Sequence, residues 1–219
     1  DIIELVLMPD VPLAVRAGQY LKFRLVDGDS RCFSIANLPA DGDGRLVFQI
    51  RRVSGGLFSE IFLDGLEAGD LLQLEGPFGA CTWQDDDGAP VVLFATGTGY
   101  AGIKPILLTA LKREVEVTLY WGGAQPADFY DSLFLDKTVL DHPRFHWHPV
   151  LASEGRVQEV ALNHGHHWEA AQVYACGNGA MISQARADCL EAGLPSHRFV
   201  AEAFVPSGRS STGAPSKPL

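Results

Sequence analysis

Long apolar runs, paired cysteines and an excess of positive charge are all missing from this chain. No apolar stretch approaches the roughly 18–20 residues that cross a bilayer as a helix, which argues against a membrane protein. Cysteine occurs only at Cys32, Cys81, Cys176 and Cys189. That spacing holds neither a C-x-x-C pair nor a plant-type C-x₄-C-x₂-C iron–sulfur run, and a disulfide framework is not expected. Scattered thiols fit a reduced, cytoplasmic protein. Lys and Arg number 17 against 27 Asp and Glu, a formal charge of −10. That balance argues against a sequence-independent grip on nucleic acid or anionic lipid. Met and any signal-like segment are also missing at Asp1, which leaves room for sequence upstream.

What is present is an ordinary globular composition, 219 residues with 47% hydrophobic. This is enough for a core, and for one large or two small domains. Up to about residue 84 the chain is dense in short strand signals at Ile2–Leu7, Tyr20–Val26, Cys32–Ala36, Leu46–Ile50 and Leu71–Leu74. Gly/Asp turns separate them, a pattern that predicts a small antiparallel barrel or sandwich. One helix is expected around Leu57–Leu63, after Gly55-Gly56. Residues 85–90, with three consecutive acids and a Gly-Ala-Pro, read as a solvated linker.

Beyond it the pattern changes. Val91–Ala95 is continuously apolar, as a strand buried on both faces would be. A glycine turn, a helix over Ile103–Leu111 and a strand over Val115–Trp121 complete a βαβ unit. Strands near Phe145–Leu151, Gln172–Cys176 and Arg198–Phe204 alternate with helices near Val157–Asn163 and Ala180–Ala192. Such alternation implies a parallel sheet covered on both faces, over residues 91–205. Residues 206–219 are rich in Ser, Gly and Pro and read as a disordered tail.

Gly97-Thr98-Gly99-Tyr100-Ala101-Gly102 matches G-x-G-x-x-G between a strand and a helix, where backbone N–H groups can hold phosphate. An ordinary dinucleotide fingerprint also wants an acid at the end of the second strand. Here Glu116 lies inside that strand, which ends at Tyr120-Trp121-Gly122. Cys176-Gly177-Asn178-Gly179 is a second strand-to-helix turn, and the carboxyl ends of parallel strands open on one crevice. Arg31-Cys32-Phe33-Ser34 offers a cation for phosphate, a ring for stacking and a hydroxyl, with Arg31 and Phe33 on one strand face and Ser34 on the other. Arg51-Arg52-Val53-Ser54-Gly55-Gly56 with Ser59 makes another anion-binding pattern. His146 and His148 share a strand face at metal-ligand spacing, and His164, His166 and His167 cluster further on. Surface histidines at loops are common, and no metal site is expected.

Taken in order, Arg31–Ser34, Arg51–Ser59, Gly76-Pro77-Phe78-Gly79, Ala95–Gly99, Tyr120-Trp121-Gly122, Cys176–Met181 and Glu202-Ala203-Phe204 resemble the ferredoxin–NADP reductase superfamily. More narrowly, they resemble the reductase components of bacterial oxygenases and the CDP-6-deoxy-glucoseen reductase group. The resemblance implies an N-terminal flavin-binding β-barrel over residues 1–84 and a C-terminal NAD(P)-binding α/β domain. It also implies a flavin-dependent NAD(P)H oxidoreductase that passes electrons to an iron–sulfur centre or another acceptor. Carried onto this chain, Arg31 pairs with flavin phosphate, Phe33 packs on the ring system, and Ser34 bonds near N5. Backbone at Ile50 and Arg51, with Gly56 and Ser59, cradles the phosphates. Thr98, Gly99, Trp121, Gly122, Cys176, Gly177 and Met181 place the pyridine nucleotide. Glu202 and Phe204 lie on the nicotinamide side. Ser34, Cys176 and Glu202 are the residues expected nearest the chemistry.

Three departures from the family pattern shape the expectations. Phe33 stands where tyrosine is usual, and Gly102 where proline is usual. Gly123, Ala124 and Gln125 replace arginines that would neutralise a 2′-phosphate, which favours NADH over NADPH. FAD is favoured over FMN on family grounds. A two-iron two-sulfur cluster is expected only if a further domain precedes residue 1. A free-flavin reductase and a non-catalytic flavin- or nucleotide-binding regulatory subunit are the alternatives.

Overall fold

The computed structural model describes residues 1–204 apart from 26–28, 55, 57, 59–62 and 85–87. Ser59, most of the expected helix over 57–63, the linker acids and the tail from 206 lie outside the described residues.

Among the described residues the first part holds five strands: β1 (Ile2–Leu7), β2 (Tyr20–Arg24), β3 (Ser30–Ser34), β4 (Leu46–Arg51) and β5 (Leu74–Phe78). They form two antiparallel sheets, β1–β4 and β3–β2–β5. Alternation sends Leu21 and Phe23 of β2 inward, where they meet Leu46, Phe48 and Ile50 of β4 in one core. The chain leaving β3 ties the sheets together, as Ile35 N–H donates to Gln19 (3.0 Å) and Ala36 N–H to Val47 (2.7 Å). The expected strand over 71–74 is displaced to β5. Its place is set by pairing with β2, through Phe23 opposite Leu74 and Lys22 opposite Glu75. Pro77 is tolerated there because β5 is an edge strand, where a missing N–H breaks no ladder.

The second part runs β6 (Val91–Thr96), α1 (Tyr100–Lys112), β7 (Val117–Gly123), α2 (Ser132–Asp141), β8 (Phe145–Leu151), α3 (Val157–Asn163), β9 (Gln172–Asn178), α4 (Gly179–Glu191) and β10 (Phe199–Phe204). All five strands are parallel, in the order β10–β9–β6–β7–β8. Leu93, Leu119 and Trp121 face α1 and α2, whereas Val92, Phe94 and Tyr120 face α3 and α4. The sheet is therefore buried on both sides, as the apolar run at Val91–Ala95 requires. The helix α2 carries no strong sequence signal. Leu133 and Leu140 point to solvent, and no side chain caps its start.

From β6 the chain moves outward through β7 and β8 in one direction and returns to β9 and β10 in the other. That reversal puts a crevice at the carboxyl ends of β6 and β9. Residues 80–84 bind the two parts together. Trp83 stacks on Tyr174 at 5.7 Å, and Gln84 N–H donates to the Tyr174 hydroxyl at 2.9 Å.

Candidate functional site

A cleft of 290 Å³ opens where the first part meets the carboxyl end of β10, bordered by Tyr20, residues 30–34 and Glu202, Ala203 and Phe204. Phe33 is anchored from behind, edge-on to Phe23 at 5.3 Å and tilted on Phe58 at 4.6 Å. Arg31 uses one guanidinium nitrogen on the Ser30 carbonyl (2.8 Å) and pairs with Asp29 at 3.6 Å. Strand alternation sends Ser34 to the face opposite Phe33. Both nonetheless border the cleft, because it closes around the end of β3 rather than lying on one face. Glu202 sits opposite Cys176 across the β9–β10 ladder, and its carboxylate accepts from Ala80 N–H at 3.3 Å.

A second cavity, 580 Å³, lies over the ends of β6, β7 and β9. The two glycine turns that the sequence set apart are in contact there. A Cβ on Gly99 would stand 2.2 Å from the Cys176 carbonyl oxygen, so only glycine lets α1 start this close to β9. Gly177, at φ +135°, has the Thr96 hydroxyl 2.3 Å from where its Cβ would be. Asn178 N–H donates to that hydroxyl (3.0 Å), while its own side chain caps α4 by accepting from Ala180 N–H (2.8 Å). Gly122 and Met181 line the cavity. Trp121 does not. It is fully buried, stacks on Tyr100 at 4.1 Å and donates to the Gly97 carbonyl at 2.9 Å, so it props the turn from beneath. Cys176 and Gly177 form the backbone between the turns, and Thr98 lies half-buried on the first.

The two parts of the chain meet at Gly102, which is buried between them. A Cβ there would lie 2.9 Å from Cys176 Sγ and 3.1 Å from Ser34 Oγ, one atom from each part of the chain. Burial first, then the neighbouring Cys81 and Glu202, push the Cys176 thiol well above its ordinary range. Cys81 is pushed up to about 12 by burial first and then by Glu202. Both remain neutral thiols at pH 7, without the thiolate that nucleophilic chemistry needs. Burial foremost, then Glu202, also raises the Tyr20 phenol.

The arginine pair divides its work. Arg52 is committed to Asp64 through two 2.7 Å bonds. Arg51 crosses to Asp128 in the second part, Nη1 to Oδ1 at 3.0 Å. Ile50 is buried in the first core, so only its backbone could face a ligand, and Gly56 N–H turns back onto Val53 at 2.9 Å.

Sequence reasoning missed three residues bordering the larger cavity: Asp128, Arg156 and Gln158. Arg156 opens α3 directly after Gly155, a turn-then-cation signal that was available. Gln158 is 1% exposed, and neither atom of its amide has a partner. Glu116, weighed above as a ribose acid, precedes β7 at the far end of the strand. The two histidine segments meet away from the site. The Tyr120 hydroxyl lies 2.9 Å from His164 Nδ1 and 2.7 Å from His166 Nε2, with His148 stacked on its ring. Burial foremost, with neighbouring histidines, lowers His148 and His166. Among the described residues no group of three His, Cys, Asp or Glu side chains could hold a metal ion.

Residues 2–83 match the oxidoreductase FAD-binding domain family, and residues 93–187 match the oxidoreductase NAD-binding domain family. The chain belongs to the ferredoxin–NADP reductase superfamily. It is 33% identical over 216 residues to a CDP-6-deoxy-L-threo-D-glycero-4-hexulose-3-dehydrase reductase of Yersinia pestis, covering 94% of this chain and 64% of the relative. It is 35% identical over 202 residues to a terephthalate 1,2-dioxygenase reductase component of Comamonas, covering 87% and 60%. The crystal structure of an Amycolatopsis cytochrome P450 reductase superposes with a TM-score of 0.87 at 32% identity, covering 95% of this chain and 66% of that one. The chain thus spans somewhat under two thirds of these relatives. Among the described residues no helix is long and apolar enough to cross a membrane.

The residues fit the two cofactors those families carry. Arg31 and Phe33 border one cleft as a cation and a ring, and the larger cavity is bordered by Gly97, Gly122 and Gly123 and by Gln158, whose buried amide has no partner.

Proposed function

We propose that this chain is the flavin- and nicotinamide-binding part of a reductase, taking a hydride from NADH and passing electrons to an iron–sulfur centre or another acceptor protein. The observation that carries the reading is the convergence at Gly102. It sets a hydroxyl from the flavin-type part, on the border of the cleft, beside a thiol from the nucleotide-type part. FAD, when bound, supplies a two-electron acceptor that can release electrons singly.

Each residue then has a physical task. Arg31 contributes charge-assisted donors to a flavin phosphate, and the backbone of Ile50, Arg51 and Gly56, with Ser59, completes that cradle. Phe33, locked by Phe23 and Phe58, offers a rigid wall for a flat ring. The Ser34 hydroxyl would hydrogen-bond the flavin near N5. Thr98, Gly99, Gly122, Gly177 and Met181 border the dinucleotide, with Trp121 holding the turn. The neutral Cys176 thiol excludes water from the nicotinamide face without adding charge. Glu202, fixed by Ala80, and Phe204 close the other side.

NADH is favoured over NADPH, because the cavity carries the Asp128 carboxylate and no cation at residues 123–125. One observation favours the other reading: Arg156 borders the same cavity. Steady-state turnover with ferricyanide decides between them, with kcat/KM for NADH exceeding that for NADPH under this proposal. Four free cysteines fit a cytoplasmic setting. The purified chain should be yellow, release FAD on acid extraction and bleach anaerobically with NADH. A colourless protein with no affinity for FAD or FMN would overturn the reading.

A further inference from the structure

Two hydrogen bonds cross from β4 of the flavin-type part to the turn after β7 in the nucleotide-type part. Arg51 Nη1 meets Asp128 Oδ1 at 3.0 Å, and the Tyr130 hydroxyl donates to Gln49 Oε1 at 3.2 Å. The second oxygen of Asp128 is also engaged. It accepts from the backbone N–H of Ala124 at 2.8 Å and of Gln125 at 3.1 Å. Ala124 and Asp128 both border the larger cavity, together with Gly122, Gly123 and Gly97. One nearly buried carboxylate therefore holds the rim of the nucleotide cavity with one oxygen and the flavin-type part with the other.

Arg51 is also close to the first glycine turn. Its Nη2 is the nearest atom that a Cβ on Gly97 would meet, at 3.9 Å. Its backbone closes β4, directly before the stretch proposed above to cradle flavin phosphates. A phosphate bound there fixes the segment that carries the guanidinium. The guanidinium in turn holds Asp128, and Asp128 holds the amides of the rim.

We propose that Arg51 and Asp128 form a strut through which an occupied flavin site tightens the nucleotide site. Neither side chain touches the reacting atoms in this proposal; they are positioning residues. The physical basis is ordering. A rim already held by its strut has less freedom to lose when a dinucleotide binds, so affinity rises. Linkage makes the effect reciprocal, and bound dinucleotide strengthens flavin retention by the same factor. The inference rests on the flavoprotein reading and adds a sign to it. Were the guanidinium to leave Asp128 for a flavin phosphate, the coupling would be negative.

The test is a binding cycle on the full chain, with NAD⁺ titrated calorimetrically into flavin-free and FAD-loaded protein. FAD loading is expected to tighten NAD⁺ binding by about fivefold or more. In Asp128→Asn, which can still accept from Ala124 and Gln125 but loses the charge facing Arg51, the ratio should fall towards one. A second readout needs no dinucleotide. Backbone hydrogen exchange at Ala124 and Gln125 should slow when FAD is added to the parent protein and stay unchanged in the variant. If Asp128→Asn does not fold, Tyr130→Phe, which removes the companion bond to Gln49, takes its place and should lower the ratio. A ratio equal in parent and variant, or NAD⁺ binding weakened by FAD, overturns the strut while leaving the flavoprotein reading intact. A parent chain that binds neither cofactor overturns both.

Discussion

Replacing Gly99 by alanine tests the closest approach in the site. The added Cβ would stand 2.2 Å from the Cys176 carbonyl oxygen and 2.7 Å from its carbon, both backbone atoms of a central strand. Neither can turn aside as a side chain would, so the cost belongs at the upper end of overpacking, about 3 kcal/mol. Gly99 is the N-cap of α1, with φ −56° and ψ −24°, and at that position alanine has no propensity advantage over glycine to offset the clash. A loss of about 3 kcal/mol lowers the Tm of a chain of this size by roughly 6–12 °C. Gly102→Ala is the comparison. Its Cβ would press on Cys176 Sγ and Ser34 Oγ, two side-chain atoms that can move, while α1, in which Gly102 lies, gains up to about 1 kcal/mol of helix propensity. Its Tm should change little. Its rate of flavin reduction by NADH should fall tenfold or more, since a displacement of about 1 Å in a reacting pair can cost about 100-fold. Calorimetric or circular-dichroism melting, with anaerobic stopped-flow reduction of the bound flavin, measures both. A Gly99→Ala protein that melts with the parent and binds NAD⁺ normally would refute the reasoning, since the two turns could not then be in contact.

Other expectations follow from single residues. Arg31→Ala should weaken flavin binding by roughly 10–100-fold, as loss of a charge-assisted bond worth about 1.5–3 kcal/mol implies, measured by fluorescence quenching of added FAD. Gln158→Leu removes a buried amide with no partner and should raise the Tm of the flavin-free protein, by about 1–3 kcal/mol of stability; a fall would mean the amide is satisfied. A disulfide reagent at pH 8 should label the exposed Cys32 first, while Cys81, Cys176 and Cys189 react only on unfolding. The folded-state pKa values of His148 and His166 are lowered from 6.5, so the unfolded chain binds more protons just below that value. Their contribution to stability is therefore complete above about 6.5 and declines as pH falls towards the lowered values. Melting at pH 7.5 and 5.5 should show that decline, and His166→Gln should flatten it.

The fold was legible wherever local chemistry sufficed. Val91–Ala95 is apolar at every position, and only a strand covered on both faces buries such a run, so β6 was readable without its neighbours. The bounds expected for β8 and α3, Phe145–Leu151 and Val157–Asn163, are the bounds found. Two elements were less readable, for different reasons. β5 is defined by what β2 offers for pairing, and its own sequence, with Gly76-Pro77 inside it, carries no strand pattern. α2 keeps Leu135 inside but leaves Leu133 and Leu140 outside, so its apolar periodicity is blurred.

The candidate site divides along the same line. The sequence singled out Arg31, Phe33, Ser34, the Gly97–Gly99 turn and the Cys176 turn, because phosphate grip, ring packing and close backbone approach each demand particular residue types; Glu202 was indicated only by the family resemblance. It could not show that Ser34 and Cys176 converge on Gly102, nor that Trp121 supports the turn from below instead of lining the cavity. It also passed over Asp128, Arg156 and Gln158, whose types are ordinary and whose meaning comes from the cavity they border. Residue chemistry is local and is written along the chain. The distance between residues 34, 102 and 176 is a property of packed helices and strands, and only the folded arrangement fixes it.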